Sequence, residues 1–434
     1  MRAPIDEFIK EYIARAPLRL HMPGHKGSGD GKMDLTEIEG ADSLYEARGI
    51  IRESEENASR LFGCPTFYST EGSSLCIRAM LQLFKRAYPK GRLLAAPNAH
   101  KTFLSGIALL DIETDWLWSE SFLSCPIDLS VLEKSLQKGG YQGVYITSPD
   151  YLGHMAEIKK IAELCHRYGA LLLVDNAHGA YLKFLEPSLH PIDLGADLCC
   201  DSAHKTLPVL TGGAYLHLSP ALPKSFAEQA KAAMALFGST SPSYLILRSL
   251  DLCNLHLLKF KEDLSFFLPI AQWAKERLEA AGWRFLGDEP LKWTIDANAY
   301  GYEGEELARL LAEQDIICEY ADRQYLTMML APIHGAMGMD WLEKALMKIP
   351  KKVSLCCPPP RRTEKETALS PREAMLFAAV ETLPIEKCEG KILAEPSVGC
   401  PPAVPILVCG QRIDKAAIQA FRYYGISHCT VIKE

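Results

Sequence analysis

The sequence has 434 residues, which at roughly 150 residues per domain predicts two or three domains and a large buried core. Apolar residues make up 48% of the chain and charged residues 23%, values typical of globular proteins, which exclude disorder, collagen and a coiled coil. The net charge of −7 is spread along the chain and gives no general attraction for nucleic acid or anionic membranes. Small molecules are therefore the expected partners.

The N-terminal residues 1–17 carry charges where a secretory signal needs an apolar core, and no apolar run reaches the ~20 residues of a membrane span. We therefore expect a cytoplasmic protein. None of the 14 cysteines has the C-x-x-C spacing of zinc or redox sites, and pairs such as Cys199 and Cys200 are adjacent in sequence. Reduced, mostly buried thiols and the absence of a metal are the expectation.

The predicted elements begin with an amphipathic helix at 6–16, followed by an irregular loop from Leu20 to Gly31 that is rich in glycine and histidine. From residue 54 onward, helical patterns alternate with short apolar runs. The helical patterns lie at 54–62, 73–87 and 156–168, and the apolar runs at 92–97, 143–147, 170–175, 197–201 and 213–218. This alternation predicts an α/β fold with a mostly parallel sheet covered on both faces.

Domain boundaries follow from the same patterns. Helical periodicity dominates beyond residue 250, with a strand near 291–296, and the proline-rich and charged stretch 351–366 resembles a linker. The sequence predicts an N-terminal helix and loop, a large domain, a small domain and a C-terminal α/β domain, at 1–53, 54–255, 256–350 and 367–434 respectively.

Polar residues directly follow three of the predicted strands, where ligands bind in parallel α/β sheets. Asp175 ends one run, the segment 201–206 with Lys205 follows the second, and residues 148–151 follow the third. A buried lysine past a strand end is a candidate Schiff-base nucleophile, because a site of low dielectric constant favours the neutral amine. A lysine at a strand terminus is more often a surface residue, so a second group is needed to decide.

The carboxylate of Asp175, 30 residues before Lys205, is that second group. Pyridoxal 5'-phosphate forms a Schiff base with a lysine and keeps its ring nitrogen protonated through an acidic partner. Asp175 and Lys205 would then hold opposite ends of one ring. The predicted cofactor is therefore pyridoxal 5'-phosphate.

The phosphate of that cofactor needs a set of hydrogen-bond donors. Ser73 and Ser74 precede a helix that starts near Leu75, where hydroxyls and backbone N–H groups can converge on an anion, although a serine there is usually only an N-cap. His204 and the hydroxyls at 239–241 are further candidates. His100 follows a strand and could stack on the ring, although a lone histidine is more often structural.

Four motifs resemble one known family: PGHKG at 23–27, DNAHGA at 175–180, DSAHKTLPVLTGGAYLH at 201–217 and STSPSY at 239–244. They are similar to the Orn/Lys/Arg decarboxylase family, bacterial pyridoxal-phosphate enzymes with the aspartate-aminotransferase fold. The resemblance covers nearly the whole chain, and AEP at 394–396 and PPAVPIL at 401–407 look like the family's C-terminal domain. The chain resembles the compact form, which lacks the N-terminal wing domain of the large members.

The resemblance implies a role for each matched residue. Lys205 would form the Schiff base, Asp175 would hold the ring nitrogen, His100 would stack on the ring, and His178 would lie against the cofactor on the substrate side. The residues implied to bind the phosphate are Ser73, Ser74, Ser202 and His204, with Thr240 reaching it from the neighbouring subunit of a homodimer.

The resemblance also implies the reaction. A basic L-amino acid would displace Lys205 from the cofactor and lose its α-carboxylate as CO₂, and Lys205 or a nearby histidine would reprotonate Cα. We expect arginine to be preferred, then lysine, then ornithine, with Glu395 as a candidate acidic contact. The sequence departs from the family pattern at 149–151, at Asn176, where an acid is usual, and at 397–405, which concerns substrate contacts.

Three other functions remain open at this point. An aminotransferase or a carbon–sulfur lyase would use the same cofactor site, because the fold does not fix the reaction. The histidines at 21, 25, 154, 178 and 204 could form the metal site of a hydrolase, although no H-E-x-x-H spacing supports it. A catalytically silent cofactor-binding regulator is the third, which the intact pair of Asp175 and Lys205 argues against.

Overall fold

The computed structural model describes residues 1–117, 119–356, 358–396 and 404–433. The α-helices are α1 Pro4–Ala14, α2 Ile50–Phe62, α3 Gly72–Ala87, α4 Lys101–Leu110, α5 Leu129–Gln137, α6 Ile158–Arg167, α7 Ala203–Thr206, α8 Lys224–Ala235, α9 Tyr244–Ala280, α10 Ala297–Tyr300, α11 Gly304–Ala312, α12 Gly335–Met347 and α13 Lys415–Tyr423. The strands are β1 Thr66–Ser69, β2 Arg92–Ala95, β3 Thr114–Trp116, β4 Tyr141–Thr147, β5 Leu171–Asp175, β6 Leu198–Asp201, β7 Ala214–Leu218, β8 Phe285–Leu286, β9 Lys292–Asp296, β10 Tyr320–Ala321, β11 Tyr325–Met329, β12 Val380–Pro384 and β13 His428–Ile432.

The chain divides into two compact units. The first unit contains residues 1–93, 133–146 and 158–261, and the second unit contains residues 94–132, 147–157 and 262–434. The four domain boundaries expected from the sequence stay predictions. The stretch 351–366 has neither a helix nor a strand in the residues that are described, as expected of a connecting segment.

A seven-stranded sheet has the strand order β1-β7-β6-β5-β4-β2-β3. Strands β5 and β6 are parallel, and Asp175 pairs with Cys200. Strand β7 runs antiparallel to both of its neighbours, β6 and β1. Central strands such as β5, with the sequence LLLVD, are apolar at consecutive positions because both faces of the sheet are covered. The predicted α/β fold with a large, mostly parallel sheet is confirmed.

The helices of the first unit follow the spacing of their apolar residues. In α6 the buried residues Ile158, Ile161, Ala162 and Cys165 fall at intervals of three and four, which places them on one face. Helix α2 ends at Gly63, whose φ of 71° is in the left-handed region that glycine adopts without strain. The predicted helices and strands of this unit therefore occur within a few residues of their expected positions.

The second unit contains a four-stranded antiparallel sheet, with the order β10-β11-β9-β8, and a separate antiparallel pair of β12 and β13. Strand β9 covers the stretch near 291–296 that the sequence predicts as a strand. Helix α13 buries Phe421 in a core that also contains Ile385, Leu393 and Val431. The C-terminal helix and strands thus pack around one apolar core, to which Phe122 also contributes.

The chemistry of the cysteines agrees with the sequence. The twelve cysteines of the described residues are free thiols, and most of them are buried. Within the same residues, none of the helices is both long and apolar enough to span a membrane. A cytoplasmic location stays a prediction.

The segment 397–405 departs from the family pattern, and most of it lies outside the described residues. The first residues of the motif at 401–407 lie outside them as well.

Candidate active site

The ends of β5 and β6 bring two chemically active segments together. Strand β5 ends at Asp175, and the turn that follows carries His178. Strand β6 is followed by α7, which carries Lys205. Because the two strands are parallel neighbours, both segments leave the sheet at the same edge. Lys205 Nζ lies 3.1 Å from His178 Nε2, so the lysine donates a hydrogen bond to the histidine across the two segments.

Asp175 is a buried carboxyl in this site, with only 2% of its surface exposed. Its Oδ1 accepts from the N–H of Ala177 at 3.2 Å and from the thiol of Cys200 at 3.6 Å, and the Tyr145 hydroxyl lies 3.4 Å from Oδ2. Burial raises the pKa of Asp175, and the charge of Lys205 opposes that shift without cancelling it. A cation placed against Oδ2 would favour the ionised form of this carboxyl.

Lys205 is exposed in the chain, which differs from the buried position expected for it. Helix α7 spans only Ala203–Thr206, so it is too short to cover its own lysine. Only Ala203 of this helix is buried. If the Lys205 amine is to lie in an environment of low dielectric constant, groups outside α7 must therefore cover it.

A pair of hydroxyls lies beside the first turn of α3. Ser202 Oγ donates to Ser73 Oγ at 2.9 Å, and Ser202 is 1% exposed. Ser74 follows in the same turn and is half-buried. Helix α3 is 16 residues long, so its N-terminus adds a partial positive charge to these hydroxyls. The arrangement can bind an anion such as a phosphate group.

His204 lies beside this pair in sequence but has a partner of its own. Its Nδ1 donates to the carbonyl of Gly213 at 2.9 Å. Burial lowers the pKa of His204, and the charge of Lys205 lowers it further, so the neutral ring is favoured. Phosphate binding by Nε2 would require a proton there, because a phosphate oxygen accepts hydrogen bonds. That role stays a prediction.

Two other predicted residues lie apart from these contacts. Thr240 is exposed, in a segment held by the bond from the Ser239 N–H to the Glu71 carboxylate at 2.6 Å. His100 belongs to the second unit, where its Nδ1 accepts from the N–H of Thr102 at 3.2 Å and caps the start of α4. The ring-stacking role of His100 and the phosphate role of Thr240 stay predictions.

The sequence does not point to three groups that this geometry brings into the site: Tyr145, Cys200 and Glu71. Tyr145 and Cys200 reach Asp175 only because β4 and β6 flank β5 in the sheet order. Cys200 occurs in an apolar run, where a cysteine has no distinguishing signal. Glu71 stands directly before α3 and could have been noted as the one acidic residue among the serines there.

A separate cluster of buried polar residues lies around Asp201, at the end of β6. His190, Cys199 and Asp201 are close enough together to offer three ligands to a metal ion. Hydrogen bonds account for the arrangement: His190 Nε2 and His217 Nε2 each lie 3.1 Å from Asp201 Oδ2. The expected absence of a metal stays a prediction.

The histidines considered for a metal-dependent hydrolase have different partners in the structure. His178 accepts from Lys205 and His204 donates to Gly213. The other three contact different residues: His21 with Tyr12 at 2.5 Å, His25 with Asp34 at 3.2 Å and His154 with Asp150 at 3.1 Å. This pattern gives no support to a shared metal site built from them.

Comparison with known proteins identifies the family of the chain. The major domain of the Orn/Lys/Arg decarboxylases matches residues 3–281, and the C-terminal domain of the same decarboxylases matches residues 361–429. The first match alone covers more than half of the chain. The chain therefore belongs to the Orn/Lys/Arg decarboxylase family, and the resemblance predicted from its motifs is confirmed.

Named relatives carry the same family assignment. The chain is 27% identical to an arginine decarboxylase of Bacillus subtilis, over 96% of this chain and 92% of that protein. It is 28% identical to an arginine decarboxylase of Halalkalibacterium halodurans, over 97% of this chain and 93% of that protein. The crystal structure of a Francisella novicida lysine decarboxylase superposes with a TM-score of 0.80 at 15% identity, covering 100% of this chain and 81% of the other. The chain thus shares the fold of that lysine decarboxylase.

Proposed function

We propose that this chain decarboxylates a basic L-amino acid with pyridoxal 5'-phosphate as its cofactor, preferring arginine, then lysine, then ornithine. The observation that carries the proposal is the convergence of Asp175, Lys205 and His178 at one sheet edge in a chain of this decarboxylase family. Two relatives that are matched over more than nine-tenths of their length are named arginine decarboxylases, which supports arginine as the first choice.

The residues at this edge fit the cofactor. The cofactor has a ring nitrogen that can carry a proton, an aldehyde and a phosphate, which need a carboxylate, an amine and an anion site. Asp175 supplies a buried carboxyl, Lys205 an amine, and Ser73 with Ser202 a hydroxyl pair beside a helix N-terminus. Each chemical requirement is therefore met by a residue of the first unit.

Each residue then has a task in the reaction. Pyridoxal 5'-phosphate, when bound, supplies a ring that takes up the electron pair left as the α-carboxylate departs as CO₂. Asp175 would keep the ring nitrogen protonated through a charge-assisted hydrogen bond to its buried carboxylate. Lys205 would hold the cofactor through its amine until the substrate amine replaces it, and the same amine would then be free to return a proton to Cα.

His178 is placed to control the proton on Lys205. Its Nε2 is 3.1 Å from Lys205 Nζ, within the distance at which a proton passes between a donor and an acceptor. His178 is 6% exposed and lies on the turn that follows Asp175. It can therefore accept a proton from the ammonium group and leave the neutral amine that the cofactor requires.

We also propose a homodimer with shared active sites. The exposed position of Lys205 in the single chain supports it, because a second subunit could cover the amine and exclude water. Thr240 is likewise exposed and could reach the cofactor phosphate of a partner. Stacking of His100 on the ring is proposed on the same family resemblance.

The substrate is tested by product analysis. The purified chain, loaded with pyridoxal 5'-phosphate, is incubated separately with arginine, lysine and ornithine, and CO₂ and the amine product are quantified. We expect release of both, with the highest kcat/KM for arginine. Glu395→Gln is compared in parallel, since Glu395 is an exposed carboxylate of the second unit and would lose only its contact with the distal cation. Unchanged kcat/KM for all three substrates would remove Glu395 from substrate recognition.

Other products would point to other functions. A keto acid in place of CO₂ would identify an aminotransferase, and a bound cofactor without turnover of any substrate would identify a silent binding protein. Either result would overturn the proposed decarboxylation. The Lys205→Ala variant is the matched blank, because it retains the other groups of the site.

A further inference from the structure

Asn176 is bound to strand β6 through both its main chain and its side chain. It follows Asp175 directly and is completely buried. Its backbone N–H donates to the carbonyl of Cys200 at 3.0 Å, and its Nδ2 donates to Asp201 Oδ1 at 2.6 Å. Asn176 therefore joins the end of β5 to the end of β6, one residue beyond the register pair of Asp175 and Cys200.

The acceptor of this bond is itself fixed. Asp201 is completely buried, and its Oδ2 accepts from His190 Nε2 and His217 Nε2, each at 3.1 Å. His190 Nδ1 accepts from the N–H of Ile192, so the proton of the His190 ring is on Nε2 and points at the carboxylate. Burial raises the pKa of Asp201, but the two histidines lower it by more, and the net shift is downward. Asp201 is thus an ionised carboxylate whose position is fixed by hydrogen bonds from His190 and His217.

The turn after Asp175 folds around the Asn176 side chain. The N–H of Gly179 donates to the Asn176 carbonyl at 2.8 Å, closing the turn. A Cβ atom on Gly179 would overlap the side-chain oxygen of Asn176. Glycine is therefore needed at this position because the asparagine side chain takes the space. His178, which bonds Lys205, lies on the same turn.

We propose that Asn176 is a positioning residue for the cofactor site, acting through its hydrogen bond to Asp201. The bond fixes the segment of Asp175 and His178 relative to the segment of Ser202 and Lys205. Asn176 lies between Asp175 and His178, and Asp201 directly precedes Ser202. The inference rests on the proposed function, because what is positioned is the set of groups assigned to pyridoxal 5'-phosphate.

The chemistry of the side chain explains why an amide serves here. An aspartate at 176 would place a second carboxylate against Asp201 in a buried site, and one of the two would have to take a proton. An amide supplies the donor without a second charge. The asparagine at 176, where an acid is expected, therefore serves the buried hydrogen bond to Asp201 and not a contact with the substrate.

The chain offers a matched control in Asn254. This residue is also a completely buried asparagine of the first unit, and its Nδ2 donates to the Tyr68 hydroxyl at 2.8 Å and to the Ser54 carbonyl at 3.1 Å. Asn176→Ala and Asn254→Ala each remove one buried amide, so their general effects on folding are comparable. Only Asn176→Ala removes a link between the two active segments.

The test compares these variants with the full wild-type chain in three measurements. Urea unfolding of the apoprotein measures the loss of stability, which we expect to be similar for both. Hydrogen–deuterium exchange of the apoprotein is expected to speed up in peptides covering 176–179 and 202–206 for Asn176→Ala alone. Titration with pyridoxal 5'-phosphate is expected to show affinity reduced about tenfold or more, and a shifted absorbance maximum of the bound cofactor, again for Asn176→Ala alone.

The outcomes separate the two proposals. Affinity within twofold of wild type for a folded Asn176→Ala, or an equal loss for Asn254→Ala, would overturn the positioning role. If Asn176→Ala does not fold, Asn176→Ser, which keeps a shorter donor, must show the same exchange and affinity changes in smaller degree for the inference to stand. Failure of the wild type to bind pyridoxal 5'-phosphate would overturn the proposed function, whereas the exchange result in the apoprotein would still report the link itself.

Discussion

Asp175 and Asp201 end neighbouring parallel strands and face opposite sides of the same sheet. Asp175 pairs in register with Cys200, and Asp201 is the next residue, so the alternation of side chains along a strand sends the two carboxyls to opposite faces. Asp175 reaches Tyr145 and the site, and Asp201 reaches His217 and the core. The two carboxyls therefore have different surroundings: the Tyr145 hydroxyl bonds Asp175, and the rings of His190 and His217 bond Asp201.

Opposite pKa shifts predict opposite effects of pH on the apoprotein. The pKa of Asp175 is raised in the folded state by burial, so its ionisation costs stability as pH rises through that folded-state pKa. Burial also acts to raise the pKa of Asp201, but the two histidines hold it below its usual range, so its contribution is present at neutral pH and is lost as pH falls below about 4.

Asparagine substitutions at the two positions should therefore change the stability of the apoprotein in opposite directions. Asp175→Asn is expected to stabilise the apoprotein at pH 8 while lowering the decarboxylation rate by about 10² to 10⁴, because an amide cannot hold the ring nitrogen protonated. Asp201→Asn is expected to destabilise it by about 3 kcal/mol at pH 7, because the Nε2–H groups of two buried histidines, His190 and His217, lose the ionised oxygen to which they donate. Urea unfolding between pH 3 and 8 measures the stability of both variants and of the wild type. A stabilised Asp201→Asn, or a destabilised Asp175→Asn, would contradict the assignment.

Lys205→Ala tests the amine directly. Borohydride reduction of the loaded wild type should fix the cofactor to the peptide that contains Lys205, as seen by mass spectrometry, and the variant should lose both the adduct and turnover. Lys159→Ala, which removes an exposed lysine of α6, is the control and should keep both. Normal turnover by Lys205→Ala would exclude Lys205 as the Schiff-base residue.

Ser73 and Ser202 should act together on the cofactor phosphate. Their hydroxyls are 2.9 Å apart, so either substitution alters the partner of the other. We expect Ser73→Ala and Ser202→Ala each to weaken pyridoxal 5'-phosphate binding about tenfold, and the double variant to lose less than the product of the two losses. Pyridoxal, which lacks the phosphate, is the control ligand and should bind all variants alike. Equal weakening for both ligands would place the serines away from the phosphate.

Mixed dimers test whether the sites are shared. Lys205→Ala and Thr240→Asp are expected to be weakly active or inactive alone, because the first lacks the amine and the second sets a negative charge against the partner's phosphate. Random mixing should restore about a quarter of wild-type activity, since half of the dimers are mixed and each mixed dimer has one intact site. Native mass spectrometry verifies the exchange of subunits. Exchange without recovered activity would show that each site is built from one chain.

Local patterns in the sequence were sufficient for much of the first unit. The spacing of apolar residues placed α6, and the run of LLLVD placed β5, because helix and strand periodicities are local properties of the chain. The position of Asp175 and Lys205 after two such runs was also enough to predict that they share a sheet edge. In a parallel sheet, the ends of strands meet whatever the details of packing.

The tertiary structure decided which other groups join them. The bond of Asn176 to Asp201 and the contact of Tyr145 with Asp175 depend on strand order and register, which join residues 25 and 30 positions apart. A shift of one residue in register would exchange the faces of Asp175 and Asp201. The exposure of Lys205 likewise follows from how α7 leaves the sheet. The sequence by itself determines the residue types and the local elements, whereas the faces and partners of these side chains require the folded sheet, because they arise from contacts between distant segments.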